Sequence, residues 1–199
     1  GTQWAGTRLW CASMVAIQYI LEHQPLTSTI TTTKKETRFL ELGCGLGVPG
    51  MILHSMLGWN TLLTDMPSLG NQLKKNLETN FPNSLDKISS GAVDWWDSSS
   101  LTDCSGGNDA FDIVLSCDCV YEPLYGDSWK ALVSIMDYLL SVNPKTVMLT
   151  SVERRNADGV ETFIRALEES SHVDRVERIP LDDCKYPKVQ LYQTFGKQS

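Results

Sequence analysis

The chain has 199 residues, 42% of them hydrophobic and 21% charged, with a formal net charge of −7 at pH 7. This length predicts a single domain over residues 1–199, with an N-terminal helix and lead-in at 1–35 and a core at 36–199. The acidic balance and the 17 scattered basic residues argue against binding nucleic acid, and no apolar run is long enough to cross a bilayer.

An amphipathic helix is predicted before the core. Trp10, Met14, Ile17 and Leu21 recur at helical spacing until Pro25 ends the pattern. Most of this stripe is predicted to pack on the sheet as a lid. Trp10 follows a glycine-containing entry and could instead face a cofactor pocket. The Ser- and Thr-rich stretch 26–36 is predicted to be a loop.

The stretch 38–50 predicts a buried strand, a tight turn and a packed helix. Three glycines form the turn: Gly43, Gly45 and Gly47. They remove side chains where backbone approaches a ligand closely, and the helix start behind them offers free N–H groups. The spacing disfavours NAD, because Val48 stands where a dinucleotide fingerprint requires its third glycine. An ordinary strand-to-helix turn is the alternative.

A second strand is predicted from Trp59 to Asp65, after a helix that ends at Gly58. Asp65 lies 22 residues after Gly43, the distance that a strand-helix-strand unit requires. It can therefore accept hydrogen bonds from both ribose hydroxyls of a nucleoside. Alternatively, Asp65 only caps the next helix, which has Pro67 in its first turn. The predicted buried face of that helix consists of Leu69, Leu73 and Leu77.

A weaker third strand is predicted over residues 87–93, followed by Asp94-Trp95-Trp96. In a fold of this order, the end of the third strand lies beside the adenine of a bound nucleoside. Asp94 is therefore predicted to accept a hydrogen bond from the adenine amino group, and Trp95 to lie against the ring. The polar run 97–108 is predicted to be a surface loop.

The fourth strand, 111–116, brings Asp118 and Tyr121 to the carboxyl edge of the sheet. Ligands of open α/β sheets bind at that edge. The two residues are three apart, so a single turn would place both side chains in one pocket. The alternative is that Asp118 caps a helix and Tyr121 packs.

The rest of the chain predicts further alternation of helices and strands. The predicted elements are a helix from Trp129, a strand at 146–150, a helix over 160–167 and a terminal hairpin of strands 173–180 and 189–195. Glu153-Arg154-Arg155 is predicted to be an exposed charge run.

The cysteines and histidines do not have the spacing of a zinc site. The six cysteines stand at 11, 44, 104, 117, 119 and 184, without a Cys-x-x-Cys pair, and the chain has three histidines. No metal is predicted. Free thiols indicate a reducing compartment, and we predict the cytoplasm, with the nucleus as a second location.

With its elements in this order, the chain resembles the seven-stranded class I methyltransferases. Within them it resembles the methyltransferase-16 family of METTL21-like protein-lysine methyltransferases. The motifs that carry the resemblance are Gly6-x-x-x-Trp10, Glu41-x-Gly43-x-Gly45-x-Gly47, Asp65, Asp94-Trp95 and Asp118-x-x-Tyr121. They span nearly the whole chain, and the last is the most selective.

The resemblance implies an α/β, Rossmann-like seven-stranded sheet of order 3-2-1-4-5-7-6, with strand 7 antiparallel and helices on both faces. It implies S-adenosyl-L-methionine as cofactor and S-adenosyl-L-homocysteine as product. The implied cofactor-binding residues are Trp10, Glu41, Gly43, Gly45, Gly47, Asp65, Asp94 and Trp95.

The implied reaction is direct displacement of the methyl group by a lysine amine of a protein, without a covalent enzyme intermediate. Asp118 would hold the amine, and Tyr121 would direct its lone pair. We expect a monomer without nucleic-acid or membrane partners, and elongation factors or chaperones as first candidate substrates.

Two other functions remain open. The cofactor could serve a histidine, an arginine or a small molecule, although Asp118-x-x-Tyr121 favours a cationic amine. The chain could also be a cofactor-binding adaptor that has lost methyl transfer, against which the intact Asp118 and Tyr121 argue.

Overall fold

The computed structural model describes residues 6–23, 36–182 and 184–198, and these form one seven-stranded sheet with the predicted order β3-β2-β1-β4-β5-β7-β6. The strands are β1 (Arg38–Leu42), β2 (Asn60–Asp65), β3 (Ile88–Ala92), β4 (Ile113–Cys117), β5 (Val147–Glu153), β6 (Val173–Ile179) and β7 (Val189–Gly196). Strand β7 is antiparallel to both of its neighbours, and β1 to β5 are mutually parallel. The predicted fold is confirmed.

Helices cover both faces of the sheet. They are α1 (Cys11–Glu22), α2 (Val48–Leu57), α3 (Gly70–Asn80), α4 (Ser98–Ser105), α5 (Glu122–Tyr125), α6 (Trp129–Val142) and α7 (Val160–Glu168). Alternate residues of β4 enter separate cores: Val114 packs with residues of α6 and α7, whereas Ile113 and Leu115 pack with residues of α1 and α2. Because both faces are covered, the central strands β1, β4 and β5 are buried at nearly every position.

The N-terminal helix lies on the sheet as predicted, but its buried face differs from the predicted stripe. Ile17 is buried, whereas Met14 is 49% exposed. The small residues Ala12 and Ala16 lie fully buried instead, because a helix packed closely on the sheet brings its backbone near the strands. Pro25 and most of the predicted loop 26–36 lie outside the described residues.

The prediction of a surface loop over 97–108 is wrong, because α4 lies within it. The side chain of Asp97 caps the helix by accepting a hydrogen bond from the Ser99 N–H, and Gly106 ends it in a left-handed conformation. Leu101 is fully buried and anchors the helix to the core. Two caps and one apolar anchor suffice for a two-turn helix, and such a short segment shows no hydrophobic periodicity.

The register of the parallel strands places the ends of β4 and β5 side by side. Cys117 pairs with Ser151, and the Asp118 N–H donates to the Ser151 carbonyl over 2.8 Å. The residues that follow β5 therefore lie next to those that follow β4. None of the helices in the described ranges has the length and apolar character to span a membrane.

Candidate active site

The carboxyl edge of the sheet contains a cleft of about 380 Å³. Seven of the ten residues predicted for the site line it: Trp10, Glu41, Gly43, Gly45, Asp65, Trp95 and Asp118. The other three, Gly47, Asp94 and Tyr121, do not line the cleft. The N-terminal segment and the ends of four strands, β1 to β4, thus converge on one space.

The glycine loop forms the floor of this cleft. Gly43 and Gly45 have φ angles of 65° and 56°, in the left-handed region that favours glycine. A Cβ atom on Gly43 would lie 2.6 Å from the Cys119 sulfur, and one on Gly45 would lie 2.7 Å from the Gly6 carbonyl oxygen. Side chains are thus excluded where the N-terminal segment and the end of β4 close on the loop.

The third glycine of the motif has a packing role. A Cβ atom on Gly47 would lie 2.7 Å from a methyl group of Leu73 and 2.8 Å from one of Leu63. Gly47 therefore lets helices α2 and α3 approach strand β2 closely. It supports the loop from behind rather than facing the cleft.

Glu41, at the end of β1, is 1% exposed, and its carboxylate accepts a 2.8 Å hydrogen bond from the Gly50 N–H in the first turn of α2. Among the described residues, no cation pairs with it. Burial raises the pKa of the Glu41 carboxyl to about 8. A buried acid at the cleft without a cationic partner is suited to a ligand that carries a positive group.

Asp65 ties the second strand to the glycine loop. Its carboxylate accepts one hydrogen bond from the Gly45 N–H and another from the Met66 N–H, each 2.7 Å long. Burial raises its pKa, against the effect of these two hydrogen bonds. Each carboxylate oxygen retains acceptor capacity toward the cleft. The contact with Met66 lies just before the short 3-10 turn Pro67–Leu69, so Asp65 also supports the start of that turn.

The end of β3 contributes apolar surface rather than an acid. Val93 and Trp95 line the cleft, and Trp95 lies beside Gly43. Asp94 is exposed, and its carboxylate accepts a 3.0 Å hydrogen bond from the Trp96 N–H. The structure therefore does not bring Asp94 together with the other predicted residues.

Asp118 is 7% exposed and is held in a left-handed conformation, with a φ angle of 55°. The Arg155 guanidinium binds both of its carboxylate oxygens, over 3.0 Å at Oδ1 and 2.7 Å at Oδ2. The Glu153 N–H also donates to Oδ1 over 3.0 Å. Three donors from the end of β5 thus orient one carboxylate at the cleft.

The prediction that Glu153-Arg154-Arg155 is an exposed charge run is wrong. All three residues are partly buried, and the Arg155 guanidinium lies 5.0 Å from the ring centre of Tyr121 and 5.5 Å from that of Trp10. Asp118 and Tyr121 therefore meet through Arg155. The signal in the sequence was a pair of arginines directly after a strand, at the edge where ligands bind.

Tyr125 is a second residue that sequence reasoning missed. It lies on α5, one turn after Tyr121, and it lines the cleft. Burial raises its pKa to about 12, so that its hydroxyl is a hydrogen-bond donor at neutral pH.

The three cysteines near the cleft have thiols of low nucleophilic reactivity. Burial raises the thiol pKa of Cys44, Cys117 and Cys119 above the usual value, which disfavours the nucleophilic thiolate. Within the described ranges, no three His, Cys, Asp or Glu side chains are grouped so that they could hold a metal ion.

A family model described as lysine methyltransferase matches residues 1–170. The chain belongs to this lysine methyltransferase family. The protein-lysine N-methyltransferase EFM6 of Saccharomyces cerevisiae is 30% identical over 177 residues, which cover 79% of this chain and 68% of that protein. EEF1A lysine methyltransferase 3 of Xenopus tropicalis is 29% identical over 160 residues, which cover 80% of this chain and 66% of that protein.

A further relative bears a different kind of name. The secreted RxLR effector protein 48 of Plasmopara viticola is 36% identical over 133 residues, which cover 63% of this chain and 68% of that protein.

Solved structures show the same fold at low identity. The glycopeptide N-methyltransferase MtfA, solved with S-adenosyl-L-homocysteine, has a TM-score of 0.64 and 12% identity, covering 94% of this chain and 90% of its own. The METTL16 methyltransferase domain has a TM-score of 0.62 and 14% identity, covering 94% and 82%.

Proposed function

We propose that this member of the lysine methyltransferase family transfers a methyl group from S-adenosyl-L-methionine to a lysine side chain of a protein. The observation that carries the proposal is that Asp118 lines the same cleft as Glu41, the glycine loop and Asp65. The residues proposed to bind the cofactor and the carboxylate proposed to bind the amine thus line the same cleft.

The residues of the cleft fit the cofactor. Glu41 supplies a buried carboxyl for the positively charged amino acid end, and Asp65 supplies a carboxylate for the ribose hydroxyls. Trp10 and Trp95 supply flat apolar walls. When bound, the cofactor supplies an electrophilic methyl group on a sulfonium centre.

Asp94 and Gly47 have weaker support as cofactor contacts. Asp94 would have to release the Trp96 N–H and turn toward the cleft before it could accept from the adenine amino group. Gly47 acts through the packing of α2 and α3. We propose that Asp94 contributes little to affinity.

The acceptor must lose a proton before it can react. A lysine with a pKa of about 10.4 is about 99.9% protonated at pH 7, and only the neutral amine carries a lone pair. Asp118 accepts a hydrogen bond from an N–H of the neutral amine and orients the nitrogen. The proton that the ammonium form loses is released to water. Tyr121 contacts Arg155 rather than the cleft, so we propose that it supports the acceptor site through that arginine.

The substrate is proposed to be a protein with a lysine in a basic surface, because the chain carries a net charge of −7. The Xenopus relative is named for EEF1A, which makes EEF1A the first protein to test. We also propose that residues 1–199 form one catalytic domain that acts as a monomer. The six free thiols favour the cytoplasm.

The proposal is tested by incubating the protein with isotope-labelled cofactor and cell lysate, then locating the label by mass spectrometry. The expected result is label on a lysine nitrogen. The same incubation is carried out with Asp118→Asn, which changes the proposed amine-binding carboxylate. Its matched control is Asp127→Asn, since Asp127 is an exposed acid that pairs with Lys130 outside the cleft. Label on histidine, arginine or a small molecule would replace the proposed acceptor, and cofactor binding without labelling would indicate an adaptor.

A further inference from the structure

Arg155 has an environment that an exposed arginine does not have. It binds both oxygens of Asp118, and its guanidinium also lies 3.1 Å from a carboxylate oxygen of Glu153. Trp10 and Tyr121 place aromatic rings within 5.5 Å and 5.0 Å of it. Two carboxylates and two rings therefore hold this side chain in one position.

These contacts leave Asp118 little acceptor capacity. A carboxylate offers about four lone-pair positions. Within the described part of the chain, Oδ1 accepts from the Glu153 N–H and from Arg155, and Oδ2 accepts from Arg155. One position of Oδ2 remains, and Asp118 lines the cleft. A single N–H donor fits there.

The charge of the pair matters because the amine must be neutral to react. A bare carboxylate beside a lysine stabilises the ammonium form and raises its pKa, which opposes methyl transfer. A guanidinium bound to that carboxylate cancels most of its field at the amine. The pairing also keeps Arg155 charged, since the hydrogen bonds that it donates to Asp118 raise the pKa of the guanidinium.

We propose that Arg155 is a positioning residue that neutralises Asp118 and leaves it one acceptor position, so that the site takes up the acceptor amine in its neutral form. This inference rests on the proposed function. It makes the Asp118–Arg155 pair, rather than Asp118 alone, the feature that receives the amine.

Other titratable and charged groups lie on the elements around Arg155. They are Arg8 before α1, Glu41 and Asp65 at the ends of β1 and β2, Cys117 and Cys119 at the end of β4, Tyr121 and Tyr125 at α5, and Glu153, Arg154 and Asp158 after β5. All of them are kept in the variants below. A difference between variants at position 155 therefore reports the charge of that side chain.

The first test compares pH–rate profiles of Arg155→Met and Arg155→Lys on the lysine peptide found by the labelling experiment. Arg155→Met is expected to move the acidic limb of kcat, which reports the pKa of the bound amine, up by about one pH unit, so that turnover at pH 7 is about tenfold slower and recovers at higher pH. Arg155→Lys keeps the charge, so its limb is expected to stay near that of the parent. Arg165→Met, at an exposed position of α7, is the matched control.

Two outcomes would overturn the inference. An equal loss of rate at every pH would mean that Arg155 is only structural. A gain in kcat/KM at pH 7 for Arg155→Met would mean that the arginine blocks the site and must leave. If Arg155→Met does not fold, Arg155→Lys still tests the inference, because lysine keeps the charge but cannot bind both oxygens of Asp118. An acidic limb near that of the parent supports neutralisation by charge, and an equal loss of rate at every pH indicates a structural role.

A second test needs no turnover. n-Butylamine is titrated into the complex with S-adenosyl-L-homocysteine, and the Trp10 indole resonance is followed by NMR. The apparent affinity of the parent is expected to rise about tenfold per pH unit between 7 and 9, because the neutral amine binds. A pH-independent affinity in the parent would reject the inference. If the parent methylates no lysine, the proposed function fails, and this titration still decides whether the site with the Asp118–Arg155 pair takes up an amine in its neutral form.

Discussion

The guanidinium of Arg155 binds both carboxylate oxygens of Asp118, and the two residues lie 37 positions apart in the chain. This pair joins the ends of two parallel strands at the edge of the cleft. It determines which substitutions at the site can be interpreted, because removing either partner leaves the other as a poorly compensated charge.

Asp118→Asn is expected to lower methyl transfer by at least about a hundredfold at pH 7, while the cofactor Kd stays within a few-fold of the parent. Asparagine tolerates the left-handed conformation at φ 55° better than alanine does, so the backbone is preserved. Turnover and calorimetry measure the two effects. Turnover equal to that of Asp127→Asn would remove Asp118 from the acceptor site.

Asp65→Ala is expected to weaken cofactor binding by about tenfold or more. The substitution removes the acceptors for the Gly45 and Met66 N–H groups as well as the proposed ribose contact. Calorimetric titration with S-adenosyl-L-homocysteine measures the change. Asp86→Ala, at an exposed site away from the cleft, serves as control, and normal affinity in Asp65→Ala would move the ribose contact elsewhere.

Glu41→Gln is expected to stabilise the cofactor-free protein at high pH. The pKa of Glu41 is about 8 in the folded chain against 4.5 for an ordinary glutamate, so the folded state binds its proton more tightly than the unfolded state. The parent therefore loses stability as the pH rises from 4.5 to 8, by up to about 5 kcal/mol. Glutamine cannot ionise, and it can still accept from Gly50.

Urea unfolding at pH 5 and pH 9 checks this expectation. Glu41→Gln and the parent should have similar midpoints at pH 5, and the variant should have the higher midpoint at pH 9. The control Glu168→Gln, at an exposed site on α7, should have the same urea midpoint as the parent at both pH values. Identical midpoints for Glu41→Gln and the parent at pH 9 would contradict the buried acid's raised pKa.

Cofactor binding is expected to release a proton from Glu41. If the carboxylate contacts the positive amino acid end, binding lowers its pKa, and the parent binds about tenfold more weakly at pH 7 than above pH 9. Calorimetry at pH 7 in phosphate and in Tris counts the released protons, with about one expected. Glu41→Gln should release none. Equal release by the two proteins would place the positive end of the cofactor away from Glu41.

The fold was largely predictable because its determinants are local. Strand-length apolar runs, helical repeats of leucine and the three glycines of 43–47 report burial and turns directly. Parallel strands joined by helices then place every strand end at one edge, so that Glu41, Asp65 and Asp118 were predicted to converge, and all three line the cleft. Helix α4 was missed because its caps and single buried leucine give no periodic signal.

The sequence by itself determined which residues end the strands and therefore which carboxyl groups reach the cleft. Only the tertiary structure decided which groups donate hydrogen bonds to these carboxylates. Arg155 donates to Asp118, the Gly45 N–H to Asp65 and the Trp96 N–H to Asp94. The physical reason is that periodicity depends on neighbours within a few residues, whereas an ion pair depends on which distant side chains the sheet register brings within 3 Å. The pairing of Cys117 with Ser151 is part of that register, which places Glu153 and Arg155 against Asp118 instead of on the open surface.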